Sequence, residues 1–143
     1  MSLPVTGHGA GYRPAHAADL HITAWAPTRE SCFAHAVVAL TDSWVRTRPR
    51  TVTATARHEV RADADNDLLA GVLDGVIARI RTMGQLPVSA RVSVIPGGLR
   101  VTSEVADLSA VVSSGSIPKR VSARHCRCTL VDRMWCCTAR IDL

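Results

Sequence analysis

From Leu20 to Trp25 apolar and polar positions alternate: Leu20, Ile22 and Ala24 fall on one side, His21, Thr23 and Trp25 on the other. This period of two predicts a half-buried strand over about residues 19–26. Pro27-Thr28 ends it. Thr28 stands where an N-cap belongs, and Cys32, Phe33, Ala36, Val37, Leu40 and Trp44 recur at helical spacing, predicting a helix over 29 to about 45. Alternation returns over 51–61, with Val52, Ala54 and Ala56 set against Thr51, Thr53 and Thr55, and predicts a second strand. Asp67 then reads as the N-cap of a second helix. Its apolar stripe is Leu68, Leu69, Val72, Leu73, Val76, Ile77 and Ile80, ending near Met83 with Gly84 as the stop. Gly71 and Gly75 each lower its propensity by roughly 1 kcal/mol relative to alanine, so this helix must lean on tertiary packing.

The later chain reads as hairpins. Residues 88–95 and 99–105 flank the turn Pro96-Gly97-Gly98, and residues 122–131 and 134–142 flank Asp132-Arg133. Residues 107–112 read as a further short strand and 113–116 as a flexible turn. Residues 46–50 form a basic connector broken by Pro49. Residues 1–11 carry Pro4, Gly7, Gly9 and Gly11 without periodicity and are expected to be mobile, leaving 12–143 as a single domain. Two helices among strands linked by late hairpins predict an α+β layered fold: a mixed or antiparallel sheet with both helices packed on one face.

Composition bounds the function. With 47% hydrophobic and 20% charged residues, the chain of 143 residues can bury a core. A formal charge of +5 suits an acidic partner such as RNA or an acidic protein face, and suits an arginine-rich solvated surface as well. Aromatics amount to 3%, which counts against a platform that stacks single-stranded bases. No stretch reaches membrane-spanning length, and the N-terminus lacks a basic region followed by an apolar run, so cytoplasm is the expected compartment. There is no nucleophile elbow, phosphate-cradling glycine loop or dinucleotide fingerprint, so the chain is read as having no catalysis of its own.

Several segments, in order and at matching spacing, resemble the archease family, the small accessory proteins of RtcB-type RNA ligases. The run His16-Ala17-Ala18-Asp19 is similar to a family His-Thr-Ala-Asp segment that leads into a strand. Thr28-Arg29-Glu30-Ser31-Cys32-Phe33 resembles the family opening of the first helix, with no gap needed between the two. The likeness resumes at Asp67-Leu68-Leu69, at Lys119 and at Ile141-Asp142-Leu143. Departures stand at Ala15 (a carboxylate in the family), Ala17 (threonine), Ala26 (glycine), and Ala123 and Arg124 (a Tyr-His pair).

The resemblance implies a divalent-cation site built from the carboxylates of Asp19 and Asp142 and the backbone oxygen of Leu143. Oxygen donors of this kind suit calcium, or alternatively magnesium or manganese, over zinc. Spacing alone does not bring these residues together; read without the family, Asp19 caps a turn and Asp142 is a chain-end acid. His16 either orients the Asp19 carboxylate or a bound water, or is a loop histidine bonded to backbone. Lys119 either contacts the ligase, a nucleotide phosphate or the carboxylates, or guards a strand edge. The implied role is to promote guanylylation and multiple turnover of the ligase in tRNA splicing or RNA repair, touching RNA only through that partner. A different reading is a small basic RNA-binding or chaperone-like module using Arg46, Arg48 and Arg50 without metal. A third is a metal-dependent hydrolase using His16, Asp19 and Asp142. Oligomeric state is left open.

The five cysteines are Cys32, Cys126, Cys128, Cys136 and Cys137. Cys126 and Cys128 share a strand face, and a two-residue turn at Asp132-Arg133 would set Cys128 opposite Cys137. His125 points to the other face and the usual two-residue spacer between paired cysteines is missing, so these are read as small, buried, reduced core residues rather than a zinc site, with a Cys128–Cys137 disulfide open in vitro only if the hairpin register holds.

Overall fold

The computed structural model describes residues 9–15, 21–47, 49, 51–113 and 117–142. Its elements run β1 (Gly11–Arg13), β2 (His21–Ala26), α1 (Arg29–Asp42), β3 (Val45–Thr47), β4 (Ala54–Arg61), α2 (Asp65–Met83), β5 (Gln85–Ile95), β6 (Gly98–Asp107), β7 (Val112–Ser113), β8 (Arg120–Val131) and β9 (Met134–Asp142). The strands pair antiparallel throughout, in a four-stranded sheet ordered β1-β2-β9-β8, a three-stranded sheet ordered β4-β6-β5 and a β3-β7 ribbon. The α+β class read from the sequence is what the chain adopts.

A single sheet with both helices on one face is not. The strands divide between sheets, and α1 packs on β5 of one and on β2 and β9 of the other. Likewise α2 packs on β8 of the four-stranded sheet and on β4 and β5 of the three-stranded one. The physical reason is visible on α1. Beyond the expected stripe it buries Ala39 and Thr41, widening its covered arc, and Thr41 Oγ1 donates to the Pro87 carbonyl of β5 at 3.3 Å. A helix buried over so wide an arc needs partners on two sides.

Local signals explain the helix ends. Thr28 caps α1, its hydroxyl accepting the Ser31 N–H at 3.1 Å. Helix α2 starts at Asp65, three residues before the expected start, after Ala64, which makes no side-chain cap bond. Asp67 therefore lies in the first turn rather than at the cap. Tertiary pins hold that end instead: Arg29 reaches Asp65 at 2.9 Å, and Asn66 Oδ1 accepts the Cys128 N–H at 3.1 Å. All seven stripe residues of α2 are buried, and Gly84, left-handed at φ 63°, ends the helix as expected. The mid-helix glycines let α2 approach β4 closely. A Cβ at Gly71 would sit 2.3 Å from Val60 Cγ1, and one at Gly75 2.3 Å from the His58 ring.

Other boundaries shift. The three-residue strand β1 begins at Gly11, so the segment expected to be mobile ends in an ordered strand against β2. The basic connector starts with β3, where Arg46 is exposed; Arg48 and Arg50 lie outside the described residues. Strand β4 starts at Ala54 rather than 51, and Val52 is exposed. The further strand expected over 107–112 is instead the end of β6, a 3-10 turn at Leu108–Ala110 and the start of β7. Residues 114–116 of the expected flexible turn lie outside the described residues. The core is one cluster joining both helices to the sheets, with Phe33, Leu40, Leu69, Leu73, Leu86 and Leu99 fully buried. Among the described residues no helix is long and apolar enough to cross a membrane.

Candidate functional site

The last hairpin delivers an acidic strand end to one side of α2. Asp132 and Arg133 adopt left-handed backbone, φ 53° and 65°. Two such residues in succession make the tight turn that sends β9 back along β8. Asp142 is thereby set opposite Arg120, and Ile141 opposite Val121. Just beyond, the ladder slips: residues 122–125 stand on β8 where β9 has only Arg140. Such a bulge bends its strand and turns side chains aside. With α2 it walls a cleft of about 610 Å³ that takes in Asp67 and Asp74 of the helix, Arg120, Arg124 and His125 of β8, and Asp142.

At the mouth, the Asp142 carbonyl accepts the Lys119 N–H at 2.7 Å, so strand pairing brings together two residues far apart in sequence. The Lys119 side chain is exposed. Arg120 Nε lies 3.6 Å from the Asp142 carboxylate, their side chains being 77% and 38% exposed. A pair this open is loosely held and adds little to stability, leaving Asp142 a strand-end anion beside a movable counter-charge.

Asp74 is the residue that sequence reading missed. It is half-buried on α2, and its Oδ1 accepts the Val121 N–H at 2.7 Å, fastening the helix to β8 where the bulge begins. Burial pushes its pKa upward, and the Asp142 charge adds to that; the Val121 N–H and the Arg120 guanidinium pull the other way. A carboxylate lodged among Leu73, Gly75 and Val76 was the available signal, but the partner lies 47 positions away.

Of the other predicted site residues, His16, Asp19 and Leu143 lie outside the described residues. Strand β2 runs antiparallel to β9 with His21 opposite Arg140. Asp19 precedes His21 by two residues and Asp142 follows Arg140 by two. Among the described residues no three His, Cys, Asp or Glu side chains are grouped to hold a metal ion.

All five cysteines are free; Cys32, Cys126, Cys136 and Cys137 are buried, whereas Cys128, expected in the core, is half-buried. Cys128 does pair with Cys137 across the hairpin, and Cys126 with Ala139. Unforeseen is Cys32 of α1, whose Sγ lies 3.1 Å from that of Cys137, itself 3.5 Å from Cys128 Sγ. Burial pushes the Cys126 thiol up to about 12 and raises that of Cys136. Cys137 is raised as well, first by its contact with Cys128, then by Cys32 and burial.

Comparison with known proteins gives this arrangement a context. The model of the Archease protein family matches residues 13–135. A Mycobacterium tuberculosis protein described as a probable protein archease is 36% identical over 138 residues, covering 96% of this chain and 77% of that protein. Two solved structures share the fold. The crystal structure of an archease from Thermotoga maritima, described as a possible chaperone, aligns with a TM-score of 0.63 at 14% identity, over 100% of this chain and 98% of that one. The solution structure of Methanobacterium thermoautotrophicum protein 1598 aligns with a TM-score of 0.66 at 17% identity, over 94% and 99%.

Proposed function

Because the chain belongs to the archease family, we propose that it is a non-catalytic accessory protein of an RtcB-type RNA ligase. It promotes guanylylation and multiple turnover of that enzyme in tRNA splicing or RNA repair in the cytoplasm, meeting RNA through the ligase. In this reading the carboxylates of Asp19 and Asp142 and the backbone oxygen of Leu143 hold a divalent cation, calcium or alternatively magnesium or manganese. The observation that supports it is Asp142 itself, a half-exposed carboxylate at the end of β9 whose carbonyl accepts the Lys119 N–H at 2.7 Å.

Asp142 fits the group. It offers hard carboxylate oxygens at a partly exposed strand end, the donor type such ions prefer over zinc. When bound, the cation supplies positive charge to neutralise phosphate oxygens. The chain's own part is to hold Asp142 through the Lys119 N–H and to keep Arg120 near enough to swing between the carboxylate and an incoming anion. The Lys119 side chain is then free to meet the ligase or a nucleotide phosphate. His16 orients Asp19 or a bound water.

The test is a multiple-turnover ligation assay with the cognate ligase, comparing wild type and Asp142→Ala. Loss of stimulation in the variant is expected, and equal stimulation by both proteins overturns the mechanism. Calcium titration by calorimetry, wild type against Asp19→Asn, reads the metal site separately, and undiminished affinity in the variant removes Asp19 from it.

A further inference from the structure

We propose that Cys128 and Cys137 form a reversible disulfide when a hydroperoxide reaches Cys128, which makes this pair an oxidative modification site separate from the Asp142 cleft. The backbone is arranged for it. Cys128 and Cys137 are directly opposed in the β8–β9 ladder, and the Cys128 N–H turns away from β9 to Asn66 Oδ1 at 3.1 Å. The two residues are therefore a non-hydrogen-bonded pair, whose Cα atoms lie about 4.5 Å apart. That separation is within the roughly 4.4–6.8 Å a disulfide spans, and both side chains stand on one face. The sulfurs are 3.5 Å apart as thiols.

Exposure decides the order of events. Cys137 and Cys32 are 1% and 0% exposed, whereas Cys128 is only half-buried, so a small oxidant reaches Cys128 first. The Cys128 thiolate attacks the peroxide O–O bond: an S–O bond forms, the O–O bond breaks, and an alcohol (water, from hydrogen peroxide) leaves with a solvent proton. Cys137 Sγ then attacks the sulfenyl sulfur of Cys128. An S–S bond forms, the S–O bond breaks, and hydroxide leaves with the Cys137 proton as water. Two thiols are oxidised and one hydroperoxide is reduced, two electrons in all. Cys136 points away, paired with Thr129, and Cys126 faces Ala139, so neither competes for the sulfenic acid. Cys32 Sγ lies 3.1 Å from Cys137 Sγ but is fully buried and donates to the Ala24 carbonyl at 3.3 Å, out of reach of the oxidant.

The experiment treats the folded, reduced full chain with hydrogen peroxide, blocks free thiols with iodoacetamide in denaturant, and maps tryptic peptides without reduction. The cross-link expected joins peptide 128–133 to peptide 134–140, with fragmentation placing it on Cys137 rather than Cys136. Dithiothreitol should abolish the link, with Cys32, Cys126 and Cys136 alkylated throughout. A disulfide through Cys32 or Cys136, or a Cys128 that proceeds to sulfinic acid with Cys137 still alkylated, overturns the assignment. Closing this short hairpin loop should also raise the melting temperature by several degrees. A cross-linked form that melts no higher than the reduced form shows that the bond distorts the ladder and overturns the claim that the backbone is arranged for it.

Discussion

Replacing Gly75 by alanine pits two effects of opposite sign against each other. Within an isolated helix the change is worth about 1 kcal/mol in favour of alanine. In this fold the new Cβ would lie 2.3 Å from both Cδ2 and Nε2 of His58. Unstrained carbon contacts need about 3.5–4.0 Å, so the ring or the helix must move by more than about 1 Å. The ring is half-buried and its Nε2–H donates to the Val72 carbonyl at 3.2 Å. Displacing it forfeits a hydrogen bond of net worth about 0.5–1.5 kcal/mol and adds overpacking of about 1–3 kcal/mol. The clash wins: Gly75→Ala should destabilise by roughly 1–3 kcal/mol, and the melting temperature should fall by about 4 °C for each. Thermal and urea melts of Gly75→Ala, His58→Ala and the double variant close a mutant cycle, in which His58→Ala should recover part of the alanine penalty. A Gly75→Ala protein as stable as wild type, or a cycle with no coupling, refutes the close approach of α2 to β4.

Thr28→Ala should cost about 1 kcal/mol in urea unfolding by removing the cap on the Ser31 N–H, while Thr28→Ser should cost far less. Asp74→Ala leaves the N–H of buried Val121 without its acceptor and should cost about 1–3 kcal/mol, whereas Asp74→Asn keeps a carbonyl oxygen there and should be milder; equal losses would show that the charge, not the hydrogen bond, matters. Burial, with help from Arg79, holds the His58 pKa below its ordinary 6.5, and the Val72 carbonyl only partly offsets this. The unfolded chain then takes up the proton first as pH falls, so this residue's contribution is complete above about 6.5 and is lost as pH drops through the folded value. Urea midpoints measured from pH 8 to 5 should fall more steeply in wild type than in His58→Gln, and parallel curves would contradict it.

What could be read from the sequence was set by the range of the interactions behind it. The stripe from Leu68 to Ile80, the Thr28 cap, the Gly84 stop and the Asp132-Arg133 turn are each decided within a few residues, and each is where the pattern put it. The cysteine register across the last hairpin followed from turn length alone. The start of α2 was misplaced because its fixings, Arg29 to Asp65 and Asn66 to Cys128, come from 36 and 62 positions away. The division into two sheets was hidden for a related reason. Period-two alternation says that a strand has a buried face, and nothing about which neighbour buries it.

The site shows the same limit more sharply. Asp142 and Lys119 become neighbours through a backbone hydrogen bond between strand ends, and Asp74 joins them through its side-chain Oδ1, which accepts the Val121 N–H. Neither bond leaves a trace in local pattern, since any residue supplies the N–H. Family likeness could single out Asp19, Asp142 and Lys119 because it compares whole chains, but it was silent on Asp74. The β2–β9 ladder links the two kinds of information. An antiparallel pair with His21 opposite Arg140 fixes the sum of opposed residue numbers, and Asp19 and Asp142 share that sum. A one-residue slip of that ladder would break the match in numbering on which the proposed Asp19–Asp142 pair rests, and would turn β2's buried Ile22 and Ala24 outward.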